Sequence, residues 1–494
     1  MSPNPTLRRL TTGSTAFDSI LGGGLPAHSM NVIAGEPGAG KTLFSLQMLF
    51  ALARQGKKGV YFTTLSEPAL KLIQYMQQFS FFDENMLEEK IVFVDLGSAI
   101  RQGAEATLNE ISTRVEREAP AVVVIDSFKA IRDIVGERVA LRTFVYDLAV
   151  HTAAWGATSL LVGEYTESEG ASHPEFAIAD GIIRFRNSRH ELSAVREVEV
   201  LKLRGADYVT GGHFYEIGSS GLAFFPRVRG PDSAPSEPRA VAGHRVSVPE
   251  RASTGVAGLD AMLGGGLPRA SATIVQGGTG TGKTLLGLQF LLEGAEHGEA
   301  GIHFMLEETP DQLRGFAQSL GWDLAKFEER GLVTLSYISP VELSTDRFLD
   351  RVRREVEKLG ARRAVLDSLT SLALGVPSER RFKELVYAVA KHFHQGGITL
   401  NMNMEVPDLL GSAQLSGHGV SFAADNVIQL KFVEIEGRLE RGVSVLKARG
   451  LRHATDVRRL GVGEGGVQVG VPFHGLRGVL TGLPVPAPVP AKEP

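Results

Sequence analysis

Along the chain, short runs of continuously apolar residues alternate with longer segments whose apolar residues recur every three or four positions. MNVIAG (Met30–Gly35) and AVVVID (Ala121–Asp126) are of the first kind. LFSLQMLFALARQG (Leu43–Gly56) and TLNEISTRVEREAP (Thr107–Pro120) are of the second. A run without polar alternation fits a strand buried on both faces, and the three-four spacing fits a helix laid on a core. Their alternation predicts an α/β fold in which helices flank a mostly parallel twisted sheet.

The same order of elements comes twice. TGSTAFDSILGGGLP (Thr12–Pro26) returns as TGVAGLDAMLGGGLP (Thr254–Pro268), 242 residues later (254 − 12). MNVIAG returns as ATIVQG (Ala272–Gly277), and the helical segment as LLGLQFLLEGAEHG (Leu285–Gly298). AVVVIDSF (Ala121–Phe128) is echoed by RAVLDSLT (Arg363–Thr370), and VLKLRG (Val200–Gly205) by VLKARG (Val445–Gly450). A period this long excludes a solenoid and implies a duplicated domain. RGPDSAPSEPRAVAG (Arg229–Gly243) is rich in Pro, Ser and Gly and reads as a linker. The expected division is a first domain over 1–229, a linker over 230–244, a second domain over 245–484 and a flexible proline-rich tail over 485–494.

Composition narrows the function. The 494 residues are 43% apolar and 22% charged, with a net charge of −4 and no cysteine. No disulfide or Cys-ligated metal is available, and the charge lacks the basic surplus of a dedicated nucleic-acid binder. The N-terminus carries no apolar core of signal-peptide length, and no run approaches the roughly 18 apolar residues of a membrane span. A soluble, cytoplasmic protein is expected.

The chemistry lies where each first strand meets its helix. GEPGAGKT (Gly35–Thr42) and GGTGTGKT (Gly277–Thr284) both fit G-x-x-x-x-G-K-[ST]. Glycines let backbone N–H groups close around a phosphate, and the helix beginning at the lysine adds its N-terminal dipole. Gly35, Pro37, Gly38, Gly40, Lys41 and Thr42 form the first expected cradle for ATP. Gly277, Gly278, Thr279, Gly280, Thr281, Gly282, Lys283 and Thr284 form the second. The lysines are expected on the β- and γ-phosphates, and the two threonine hydroxyls on Mg²⁺. Asp126 and Asp367, each ending an apolar strand, are the expected acidic partners of that ion.

Two further features separate or pair the halves. LEETP places Glu307 and Glu308 at the end of a strand, where a carboxylate can orient or deprotonate the attacking water. Counting back 242 residues from that pair gives Leu65 and Ser66, with Glu67 displaced by one. The first half is therefore expected to bind nucleotide and turn it over slowly or not at all. Lys202 and Arg204, repeated as Lys447 and Arg449, can neutralise charge on a transferring phosphoryl group. His392 and His394 lie two apart, poor spacing for one helix face, and are not expected to bind metal.

Taken in order, the glycine-rich opening, the octet, EETP, DSLTSL and VLKARG resemble the KaiC family of RecA-type ATPases, over nearly the whole chain. The resemblance implies two tandem RecA-like domains in a homo-oligomer, expected to be a hexamer, with ATP between subunits. The Lys-x-Arg pairs would then act on the neighbour's nucleotide. It also implies ATP hydrolysis, autokinase activity on serine or threonine, and regulatory proteins and signalling kinases as partners. The family's paired glutamates are matched only by Glu307 and Glu308. In LSGHGVSFAADNVI (Leu415–Ile428), Ser421 matches a phosphoacceptor serine, Phe422 replaces the neighbouring threonine, and Ser416 is a nearby hydroxyl. Single-site phosphorylation of Ser421 is therefore the most the resemblance supports. Two other readings compete: a RecA-like DNA-dependent ATPase, and a scaffold that holds nucleotide without cleaving it. The candidate pore stretches, EYTESEGASHPEFAIAD (Glu164–Asp180) and EVPDLLGSAQLSGHGVSFAAD (Glu405–Asp425), are acidic or neutral, against the first.

Overall fold

The structure, a computed structural model, describes residues 8–64, 68–136, 138–166, 173–190, 193–227, 250–340, 345–376, 378–406, 419–474, 476–479 and 484–486. The chain divides into two compact units, Met1–Arg227 and Val228–Pro494. The expected linker, 230–244, falls wholly outside the described residues.

Each unit is built on a nine-stranded sheet. In the first, the spatial order is Ile91–Asp95, Gly59–Thr63, Val122–Asp126, Thr158–Glu164, Met30–Gly35, Gly181–His190, Ser193–Leu203, Gly212–Gly218, Gly221–Phe225. The first six strands run parallel and the last three pair antiparallel. The second unit repeats this from Val333–Tyr337 through Gly301–Met305, Arg363–Asp367, Thr399–Glu405 and Ala272–Gly277 to Asn426–Ile435. Arg438–Ala448, Arg458–Gly463 and Gly466–Pro472 complete it. Twofold repetition and a mostly parallel sheet were both legible; the three-strand antiparallel extension adds to them.

The strand leading into each octet has every residue buried, because it lies between two parallel neighbours and under helices on both faces. Alternate side chains serve different cores. Ile33 packs with Phe44, Phe185 and Tyr215, whereas Val32 and Ala34 pack with Phe62, Ile125 and Phe128. In the second unit Val275 joins Leu286, Phe290 and Val365, and Ile274 joins Phe304, Leu366 and Met402.

The repeated opening is structural. Asp18 Oδ1 accepts from the Thr12 amide at 2.8 Å and from its hydroxyl at 2.7 Å. Asp260 does the same for Thr254, at 2.9 and 2.7 Å. The chain then turns back so tightly that a Cβ on Gly24 would lie 2.4 Å from the Leu10 carbonyl oxygen, and one on Gly266 2.6 Å from that of Ala252. Only glycine fits both the positive φ and the space.

Candidate functional site

Each octet crosses from the central strand to a buried helix, Lys41–Ala53 or Lys283–Glu296. Gly40 (φ 88°) and Gly282 (φ 105°) cap these helices in the left-handed region, as the final glycine of the motif requires. The lysine at each helix start folds back onto its own loop. Lys41 Nζ donates to the Glu36 carbonyl at 2.7 Å, and Lys283 Nζ to those of Gly277 and Gly278 at 2.9 Å each. Burial pushes both ammonium groups below their ordinary pKa, against the pull of nearby carboxylates. A phosphate is the natural replacement for these carbonyl partners.

Beside each loop stands the expected hydroxyl–carboxylate pair. Thr42 Oγ1 donates to Asp126 Oδ2 at 2.7 Å. In the second unit, burial works to raise the Asp367 carboxyl, but His303, Thr284 and Asn403 outweigh it and hold it below the usual range. A hydroxyl and a carboxylate are hard oxygen donors, the set Mg²⁺ takes alongside phosphate oxygens. The residues present therefore fit that ion.

The two glutamates of the second unit are placed differently. Glu307 Oε1 accepts from Ser368 Oγ at 2.5 Å and from Ser371 Oγ, at the N-terminus of helix Leu369–Leu374. That carboxylate is anchored. Glu308 lines a crevice with Thr284, His303, Met305, Asp367 and Glu307 itself. Burial raises its pKa first, with Asp367 and Glu307 adding to the rise. Of the two, Glu307 is the one bonded to neighbouring hydroxyls, and both line the crevice beside Thr284 and Asp367.

In the first unit the matching segment, Leu65, Ser66 and Glu67, lies outside the described residues. Its flanks are informative. Strands Gly59–Thr63 and Gly301–Met305 keep the spacing of 242 (301 − 59). The helix caps Pro68 and Thr309 are 241 apart (309 − 68), as are Asp126 and Asp367 (367 − 126). The first connection thus holds one more residue. Counted from the strand, Leu65 and Ser66 oppose Glu307 and Glu308; counted from the helix, Ser66 and Glu67 do.

Several site residues escaped sequence reasoning. Glu164 and Glu405 end the strand next to the octet strand, paired in register with Gly35 and Gly277. Each is the foremost carboxylate pulling on its loop lysine. The signal was present: LLVGE and NMNME end alike, 241 residues apart (405 − 164). Glu405 is held by the Thr279 hydroxyl, whereas the first loop has Pro37 there and nothing to donate. Tyr61 donates to Asp126 Oδ2 at 2.5 Å, and its counterpart His303 lies 3.7 Å from Asp367. Tyr215, fully buried, donates its hydroxyl to the Ala39 carbonyl of the first loop. The second loop is braced instead by Arg441 Nε on the Gly280 carbonyl at 3.1 Å.

The Lys-x-Arg pairs lie elsewhere. Leu203 pairs with Gly181, which pairs with Asn31, the far end of the octet strand from Gly35. Four residues of strand, about 13 Å, separate that edge from the loop. Lys202 Nζ donates to the Ala177 carbonyl at 3.2 Å, and Arg204 lies 3.5 Å from Asp180. Lys447 Nζ donates to the carbonyls of Ser421 (2.9 Å) and Ala424 (2.7 Å), and Arg449 lies 3.7 Å from Asp425. Ser421 and Phe422 share that edge, in a turn before strand Asn426–Ile435; Ser416 lies outside the described residues. None of these residues faces the loop of its own unit. His394 Nδ1 contacts the Ala270 carbonyl at 2.8 Å. Among the described residues, no helix is long and apolar enough to cross a membrane.

The sequence model of the family described as "ATPase: KaiC" matches residues 10–229 and again 252–472. The circadian clock protein KaiC3 of Synechocystis sp. is 29% identical over 492 residues, covering 97% of this chain and 95% of its own. The circadian clock oscillator protein KaiC of Rippkaea orientalis is 28% identical over 499 residues, covering 99% and 93%. That of Thermostichus vulcanus is 29% identical over 491 residues, covering 97% and 92%. Two octets on two copies of one sheet, each with its strand-borne aspartate, agree with that match: the chain belongs to the KaiC ATPase family.

Proposed function

We propose that the chain is an ATP-hydrolysing switch in which the second half carries most turnover and the first half mainly holds nucleotide. The observation that carries this reading is the convergence of Lys283, Thr284, Asp367 and the carboxylate of Glu308 at one end of one sheet. In the second half, Lys283 leaves its loop carbonyls for the β- and γ-phosphates of ATP. Glu308 accepts a proton from water as the water oxygen bonds to the γ-phosphorus. The bond from that phosphorus to the bridging oxygen breaks, ADP leaves, and the proton follows phosphate into solvent. Thr284 and Asp367 would hold Mg²⁺, which when bound would supply charge neutralisation at the phosphate oxygens. Anchored by Ser368 and Ser371, Glu307 fixes the strand end from which Glu308 projects.

We further propose that copies associate head to tail into a homohexamer, with nucleotide at each contact. Support comes from the placement of Lys202, Arg204, Lys447 and Arg449 on the sheet edge away from their own loops. A heterologous contact brings that edge to another copy's loop and closes into a ring. Ser421, on the same edge and held through its carbonyl by Lys447, is then the candidate acceptor of a neighbour's γ-phosphate. Phe422 has no hydroxyl, which restricts this to one site. Incubation with γ-labelled ATP and Mg²⁺, read for both free phosphate and labelled peptides, tests the reading. Free phosphate from the unmodified chain, lost in Glu308→Gln, supports it; no phosphate from the unmodified chain refutes it.

A further inference from the structure

Two buried residues of the second site differ in kind from their first-half counterparts, and the chemistry proposed above uses neither. His303 and Met305 stand on strand Gly301–Met305 where Tyr61 and Thr63 stand on strand Gly59–Thr63, 242 residues earlier (303 − 61 and 305 − 63). All four are at most 2% exposed. Two hydroxyl oxygens thus give way to an imidazole and a thioether. Tyr61 puts its hydroxyl to use, donating to Asp126 Oδ2 at 2.5 Å. His303 does not replace that bond: Asp367 Oδ2 stands 3.7 Å from its Nε2, beyond hydrogen-bond reach. Both ring nitrogens, Nδ1 and Nε2, are buried with no hydrogen-bond partner among the described residues. Buried polar atoms in folded proteins are almost always satisfied, so a ring with two open nitrogens points to a bound water or ion.

The space beside the ring decides between them. His303 lines the crevice of about 10 Å³ together with Thr284, Met305, Glu307, Glu308 and Asp367. That volume admits one water or one small ion. Three carboxylates around so small a space favour a cation over neutral water. In the sheet, His303 pairs with Val365, two residues before Asp367, so the ring approaches the carboxylate from deeper in the core. Ligands about 2.1 Å from a tetrahedral ion lie about 3.4 Å apart, so Nε2 and Oδ2 need close by only about 0.3 Å to share one. Asn403, in register with Asp367, also leaves both amide atoms without a partner among the described residues. The first half has Val162 there and offers no such polar surroundings.

Among the described residues no three His, Asp or Glu side chains are already drawn up as a metal cage. Two donors stand close, one nitrogen and one oxygen. Imidazole nitrogen suits ions such as Co²⁺, Ni²⁺ and Zn²⁺, whereas Mg²⁺ takes oxygen. We propose that the crevice binds a single transition-metal ion of that class through His303 Nε2 and one oxygen of Asp367, with water completing its shell. The first half, with Tyr61 and Thr63, has no such site. Asp367 keeps its second oxygen for the Mg²⁺ of the nucleotide reading, and the transition-metal site forms without nucleotide.

The test uses the full chain, stripped of metal with a chelator and kept free of nucleotide, with Co²⁺ as the probe. Binding is measured by calorimetry in excess Mg²⁺. The ligands are read by X-ray absorption, in which a bound imidazole gives its own outer-shell scattering. The unmodified chain should bind one Co²⁺ with an imidazole ligand. His303→Gln, and His303→Tyr, which imports the first-half residue, should weaken that binding by about tenfold or more and remove the imidazole signal. His394→Gln, whose ring rests on the Ala270 carbonyl, should change neither. The proposal is overturned if the unmodified chain binds no Co²⁺ in excess Mg²⁺, since the ring then meets only water, or binds it without an imidazole ligand. It is overturned equally if the signal survives in a folded His303 variant, which would place the ion on other histidines. The unmodified chain alone decides the first two outcomes, so a variant that fails to fold does not protect the proposal.

Discussion

The two halves carry the same loop on the same sheet, yet their surroundings differ in kind. In the first, an open cavity of about 820 Å³ fronts a loop braced by the buried Tyr215. In the second, Glu405 and Lys283 close on the loop, and the crevices beside it measure about 10 and 20 Å³. The described acids follow the opposite trend: Glu307 and Glu308 crowd Asp367 and Lys283. Among the described residues, one copy has more space and the other more carboxylates: Glu36, Asp126 and Glu164 act on Lys41, and Glu307, Glu308, Asp367 and Glu405 on Lys283. On the function proposed above, duplication separates holding a nucleotide from cleaving it.

The comparison can be broken at several points. The largest expected effect is on turnover: Glu308→Gln should lower phosphate release by about 100-fold or more while ATP still binds, because the proton acceptor is lost and the phosphate contacts remain. Glu67→Gln should leave release by the whole chain nearly unchanged, and a comparable fall would move the chemistry into the first half. Next comes Arg449→Ala, expected to cut turnover by roughly 10- to 100-fold in the assembled protein. Mixing it with Glu308→Gln should restore part of the activity, since each copy supplies what the other lacks; no recovery would mean that the arginine does not act between copies.

A stability difference follows. Arg363 is buried where the first half has Val122, bonded to Glu299 at 2.6 Å and stacked 4.7 Å from the Phe290 ring centroid. Glu299→Gln leaves that charge without its anion and should destabilise the second unit by about 3 kcal/mol, read as an earlier melting step. Burial opposes the Glu299 charge, but Arg269 and Arg363 prevail and hold its pKa below the ordinary carboxylate value. Its contribution is therefore complete above the unfolded-state pKa and is lost as pH falls through the lower folded value. The smallest effect is Tyr215→Phe, which removes one hydrogen bond to the first loop and should weaken first-site ATP binding about fivefold. Arg441→Ala is the matching change for the second loop.

Much of this was legible before any coordinates. The strands at Met30–Gly35 and Ala272–Gly277 announced themselves because burial on both faces forbids polar alternation, and the octets because phosphate cradles need glycine at set positions. The aspartates were readable as acids that end buried runs. What stayed hidden depends on neighbours in space. Glu164 and Glu405 become site residues only when their strand lies beside the octet strand. Tyr215 and Arg441 reach the loops from antiparallel strands over 150 residues away (215 − 39 for the first, 441 − 280 for the second). The extra residue between Thr63 and Pro68 shows only when strand and helix are registered separately. Which carboxylate of the Glu307–Glu308 pair is bonded to neighbouring hydroxyls depends on Ser368 and Ser371, which the sequence does not mark.

The most direct measurement is phosphate release by the full chain carrying Lys41→Ala or Lys283→Ala, each at saturating ATP and Mg²⁺. The account predicts that Lys41→Ala keeps most of the unmodified rate and Lys283→Ala loses nearly all of it. A Lys283→Ala protein that still releases phosphate at close to the unmodified rate would contradict it.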